Sequence, residues 1–95
     1  METKIKAIHF DISEKLESYI NKKADKLARR FDAISELEAT LKVVKPETAA
    51  NKEVGVKVSV KGAEFFASKT ADTFEEAFNN CLDAIEPQLE KNKNN

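Results

Sequence analysis

The chain has 95 residues, 35% of them charged, and a net charge of −1. This length suits one domain around one thin core, which leaves little room for a deep, enclosed catalytic pocket. The near-zero net charge excludes a global pull on nucleic acid or membrane, so any electrostatic role must come from how the charges are arranged. A single cysteine, Cys81, allows no internal disulfide and fits a reducing compartment. No apolar stretch near Met1 has signal-peptide length, and no segment approaches the ~18 apolar residues of a membrane span. A soluble, cytoplasmic protein is expected.

Residues 3–10 predict a short strand, apolar at Ile5, Ala7, Ile8 and Phe10. Its imperfect alternation implies a bulge or an early exit near Ala7–His9. Asp11 and Ser13 both offer N-cap oxygens to a helix over 13–31, and Asp11 with Glu14 has the capping-box spacing. Leu16, Ile20, Ala24, Leu27 and Phe31 recur at three- or four-residue steps, with Tyr19 at the edge of the stripe. Residues 36–45 alternate, placing Leu37, Ala39, Leu41 and Val43 on one face and Glu36, Glu38, Thr40 and Lys42 on the other. Pro46 ends that strand, and 46–51 are expected to form a mobile polar loop.

Residues 53–61 alternate again, with Val54, Val56, Val58 and Val60 inward. Gly62-Ala63 then fits a two-residue type II′ hairpin with glycine first. A return strand over 64–70 sets Phe65 and Ala67 against Phe66 and Ser68. A second helix is expected to start at Thr73, with Glu76 completing a capping box, and to bury Phe74, Ala77, Phe78, Cys81, Leu82, Ile85 and Leu89. Pro87 inside that stripe predicts a kink or a stop near Ile85 or Glu86, and 91–95 are expected to fray. The sum is a single α+β domain over 1–95, ordered β-α-β-β-β-α. Its four-stranded, mostly antiparallel sheet carries two helices packed on one face.

No constellation for catalysis emerges. His9 is the one histidine, and Cys81 falls on the buried stripe, where a free thiol acts as a small apolar group. Gly55 and Gly62 cannot build a phosphate-cradling loop. The carboxylates form no catalytic pair and read as a solvated face. We expect no enzymatic activity, metal, cofactor or small-molecule substrate.

The informative feature is the first helix, which carries Lys15, Lys22, Lys23, Lys26, Arg29 and Arg30. At ~100° per residue these six fall within an arc of roughly 120°. The apolar stripe lies beside them, and Glu14, Glu17 and Asp25 lie beyond it. A helix built only for solubility intersperses its signs, because like charges at four-residue spacing repel. An anionic partner converts that repulsion into affinity, and RNA phosphate is the usual one. An acidic protein surface, a membrane and a plain solvated face stay open as alternatives. Lys42, Lys57 and Lys61 point to the sheet's open face and are candidates to extend the patch. Phe66 reads as packing rather than base stacking. With no aromatic-rich strand motif, binding would follow phosphate and shape rather than base sequence.

From Lys23 to Ile34 the sequence reads Lys-x-x-Lys-Leu-x-x-x-Phe-Asp-x-Ile, and Gly62 is followed by Glu64-Phe65-Phe66-Ala67. This resembles the hibernation promoting factor and ribosome-associated inhibitor family across nearly the whole chain. The resemblance implies a β-α-β-β-β-α fold related to double-stranded RNA-binding domains. It further implies binding to ribosomal RNA in the decoding channel of the small ribosomal subunit, where occupancy blocks mRNA and tRNA without chemistry. Lys23, Lys26 and Arg29 then stand out for phosphate contact, with Lys22 their neighbour. The second helix departs from the family pattern, with Ala84 where a lysine is usual and Pro87 where an arginine is frequent. Residues 1–45 hold ten basic against eight acidic residues, and the remainder six against nine. The long members' dimerising domain has no counterpart in this sequence, so pairing of ribosomes would need another factor.

Overall fold

The computed structural model describes residues 1–45 and 49–93. Pro46, the tip of the expected loop, and the last two asparagines lie outside them. The elements are β1 (Glu2–Ala7), α1 (Glu14–Arg30), β2 (Ile34–Val43), β3 (Lys52–Val60), β4 (Ala63–Ala71) and α2 (Phe74–Lys93). The sheet runs in the order β1-β2-β3-β4. β1 is parallel to β2, joined through α1, and the other two pairings are antiparallel. The architecture expected from the alternation is therefore present, with one parallel pair.

β1 leaves the ladder as its broken pattern foretold. Ile8 still donates to the Leu41 carbonyl at 2.9 Å, and His9 then turns through a left-handed φ of 63°. Histidine tolerates that region better than most non-glycine residues. The cap of α1 is Ser13 and not Asp11: the Leu16 amide donates to Ser13 Oγ at 3.1 Å from an extended Ser13 backbone. Thr73 caps α2 as expected, accepting from the Glu76 amide at 3.1 Å.

β2 begins two residues earlier than the alternation indicated. Ile34 pairs with Val60 across a register irregularity before Glu36 and is itself buried. Val43, expected inward, is 40% exposed, because it pairs with Lys52 at the rim, beyond the last buried residue of the strand. The β3–β4 turn is also corrected. Val60 pairs with Ala63, so the loop is Lys61-Gly62, and Gly62 takes φ 83° at the second position, not the first. A type II′ turn needs positive φ at its first position, so that assignment fails.

One face of the sheet is buried under both helices. Leu37, Leu41, Val54, Val56 and Val58 are fully inaccessible and meet Leu16, Ile20 and Leu27 of α1 and Phe78, Ile85 and Leu89 of α2. Each such side chain stabilises the fold by about 1.5–3 kcal/mol relative to exposure. Among the described residues no polar or charged side chain is buried. Cys81 belongs to this core. Its thiol donates to the Val54 carbonyl at 3.1 Å, and burial pushes its pKa up to about 11, against a smaller opposite pull from Lys69.

Pro87 neither stops nor shortens α2, which continues to Lys93 and so includes residues expected to fray. Ile85 and Leu89, at 0% and 3% exposure on either side of the exposed proline, hold the segment against the sheet. Core burial thereby overrides a local cost of about 3 kcal/mol for the missing amide and the ring clash. Replacing Pro87 by Ala restores a donor for the Asp83 carbonyl. It should stabilise the protein by about 2 kcal/mol, after roughly 0.4–1 kcal/mol is offset by a freer unfolded chain. Urea denaturation reads this as a raised midpoint at unchanged slope, and an unchanged midpoint would contradict it.

The thiol yields a second expectation. Its folded pKa lies above the unfolded value, so stability is fully present below about pH 9 and falls as pH rises toward 11. Native Cys81 should also resist a disulfide reagent at pH 8 and react fully once unfolded in denaturant. Rapid labelling of the native protein would show that the core opens locally.

Candidate nucleic-acid interface

α1 places its basic arc beside its buried stripe, as the helical spacing requires. Lys15, Lys22, Lys26, Arg29 and Arg30 are exposed and Lys23 is half-buried. Tyr19, read from sequence as the edge of the apolar stripe, stands among these cations. Lys23 Nζ lies 5.7 Å from the centre of its ring, and Tyr19, Lys22, Lys23 and Lys26 border one shallow cleft. Its position within the basic arc was readable from the helical wheel, but its apolar character placed it at the edge of the buried stripe.

The six cations are not equivalent. A groove between the helices is lined by Lys23, Lys26, Leu27 and Arg30 of α1 and by Asn79, Leu82, Asp83 and Glu86 of α2. Arg30 bridges it, with Nη1 3.1 Å from Glu86 Oε1 and Nη2 3.3 Å from Glu90 Oε1. Its guanidinium also lies 5.1 Å from the Phe31 ring centre. At the other end Asn79 Nδ2 donates to Tyr19 Oη at 2.5 Å. These contacts, near the start and near the end of each helix, show that α1 and α2 run side by side in the same direction. Lys15, Lys22, Lys23, Lys26 and Arg29 make no ion pair with any described residue.

The strand lysines do not continue this surface. Lys42 and Lys57 project from the sheet face opposite the helices, and Lys61 occupies the β3–β4 turn. Lys42 Nζ lies 3.4 Å from Glu53, and Lys57 Nζ lies 4.0 Å from Glu64. The open face thus interleaves bases and acids. Phe66 is 63% exposed there, its ring resting over Gly55, where an added Cβ would meet Phe66 Cζ at 3.3 Å. The glycine provides the close seat for the ring.

Among the described residues, no group of three or more His, Cys, Asp or Glu side chains could hold a metal ion. No helix in that set is long and apolar enough to cross a membrane. Cys81 donates to a backbone carbonyl and His9 is exposed at the end of β1, so they form no dyad.

The fold recurs in solved structures. A ribosomal subunit interface protein from Coxiella burnetii superposes with a TM-score of 0.83 at 23% identity, covering 100% of both chains. The N-terminal domain of Thermus thermophilus Protein Y gives 0.80 at 16% identity, over 96% of this chain and 98% of that one. No curated protein sequence matches. Residues 3–95 match the family described as Sigma 54 modulation protein / S30EA ribosomal protein. The resemblance carried by Lys23–Ile34 is thereby borne out, and the chain belongs to the Sigma 54 modulation protein / S30EA ribosomal protein family, the family of the ribosome hibernation factors.

Proposed function

We propose that this protein is a cytoplasmic, ribosome-associated translation inhibitor of the hibernation type that acts by occupancy and not by chemistry. It binds ribosomal RNA of the small subunit in the decoding channel, where mRNA and tRNA would otherwise lie. The observation that carries this reading is the set of five α1 cations, Lys15, Lys22, Lys23, Lys26 and Arg29, without described carboxylate partners on one helical arc. Surface cations so arranged repel one another in the free protein and gain most from a phosphate backbone. The matched family and the name of the Coxiella protein, a ribosomal subunit interface protein, support the ribosome as the partner. Arg30 is a weaker contact because it is already engaged by Glu86 and Glu90. Lys42, Lys57 and Lys61 serve a second RNA segment, one that passes the sheet side of the domain within a surrounding channel.

Co-sedimentation with purified small subunits at 50 and 200 mM salt tests this. With about four phosphate contacts, affinity should fall roughly 100-fold between the two conditions. A Lys23→Ala, Lys26→Ala, Arg29→Ala variant should lose most binding at 50 mM while keeping its urea midpoint. Equal competition by free duplex RNA would instead mark a general RNA binder. Salt-independent binding would remove the phosphate mechanism.

A further inference from the structure

The flank that α2 turns toward α1 is predominantly acidic. At ~100° per residue, Glu75, Glu76, Asp83, Glu86 and Glu90 fall within about 100° of arc. That arc also holds Asn79, which hydrogen-bonds Tyr19 of α1. Asp83 and Glu86 line the same groove as Lys23, Lys26 and Arg30. Two parallel stripes of opposite sign therefore face one another across the groove, and Arg30 is where they close.

We propose that the acidic flank of α2 is a built-in brake on RNA binding by α1. Glu86 and Glu90 present carboxylate oxygens to the Arg30 guanidinium at 3.1 and 3.3 Å, occupying the donors that phosphate oxygens would use. Arg30 meets RNA only after giving up these partners. Asp83, Glu86 and Glu90 also stand beside the groove well within a Debye length of ~8–10 Å, so they repel any backbone laid along it. RNA is thereby displaced toward the outer side of the basic arc, carried by Lys15, Lys22, Lys26 and Arg29 with Lys23 at its inner edge. The brake sets both affinity and the orientation of the bound strand. This inference rests on the reading of α1 as the RNA-binding surface.

The test is small-subunit binding, as a function of salt, by the wild type, by E86Q/E90Q and by each single change. A control, E2Q/E38Q, removes the same charge from the opposite face of the sheet. Arg30→Ala is introduced into the wild-type and E86Q/E90Q backgrounds. Freeing one phosphate contact should make E86Q/E90Q bind about tenfold tighter at low salt and steepen its salt slope by about one. Because Glu38 neighbours Lys57 on the sheet face, the control reads the gain from lowered negative charge on the domain without freeing Arg30, and that gain should stay clearly below the tenfold of E86Q/E90Q. Arg30→Ala should cost little in the wild type and about tenfold in E86Q/E90Q, a non-additivity that net charge alone does not produce. Equal binding by E86Q/E90Q and the control, or the same Arg30→Ala cost in both backgrounds, overturns the brake while leaving RNA binding by α1 intact. Failure of the wild type and E86Q/E90Q alike to bind at low salt removes the RNA-binding reading itself, and the brake with it.

Discussion

A four-stranded sheet with one valine-rich face must bury that face, and the burial of Val54, Val56 and Val58 under two helices positions everything else in this protein. The alternation along β3 leaves no second choice of face, since a one-residue slip would expose every valine at once. Both helices must therefore lie on the same side, and there is room for them only next to one another. Their contact with the sheet uses one flank of each, and their remaining flanks are fixed by that contact. The charges of α1 and α2 are thus arranged by a demand that is itself apolar.

From this follows the groove. The basic arc of α1 lies next to its buried stripe, and the acidic arc of α2 lies next to its own. When the stripes are laid on the sheet, the arcs meet. Arg30 between Glu86 and Glu90, and Tyr19 with Asn79, are the points of closure. The ion pairs are about half exposed, and pairs of that kind stabilise by roughly 0.2–1 kcal/mol each. Their larger consequence is for binding, because they decide which cations of α1 stay available to an anionic partner.

The opposite face follows a different logic. Lysines and glutamates alternate across neighbouring strands, and Lys42 with Glu53 and Lys57 with Glu64 offset one another locally. Such a face attracts phosphate more weakly than the unpaired cations of α1 do, so the asymmetry between the two sides of the domain gives α1 the leading role in the proposed interface. Phe66 sits on that face because Gly55 beneath it removes the side chain that would lift the ring away.

The sequence by itself determined the element order, most of the inward residues of the strands and the sign-sorted arc of α1. These depend on periodicities of two and 3.6 residues that are local to the chain. It also carried the family, through the run from Lys23 to Ile34. It misplaced features that tertiary contacts settle. The passage of α2 through Pro87 depends on Ile85 and Leu89 being buried against the sheet, which outweighs a local helix-breaking preference. The Lys61-Gly62 turn depends on the register between β3 and β4, and Val43 is exposed because the pairing ends at the rim. Whether the strand lysines extend the helix patch was undecidable from alternation, which sets them on the open face but not how the α1 arc lies relative to that face. The pinning of Arg30 was likewise invisible, because Glu86 and Glu90 are far from it in the chain. Only the packing of both helices on one sheet face brings their charges together.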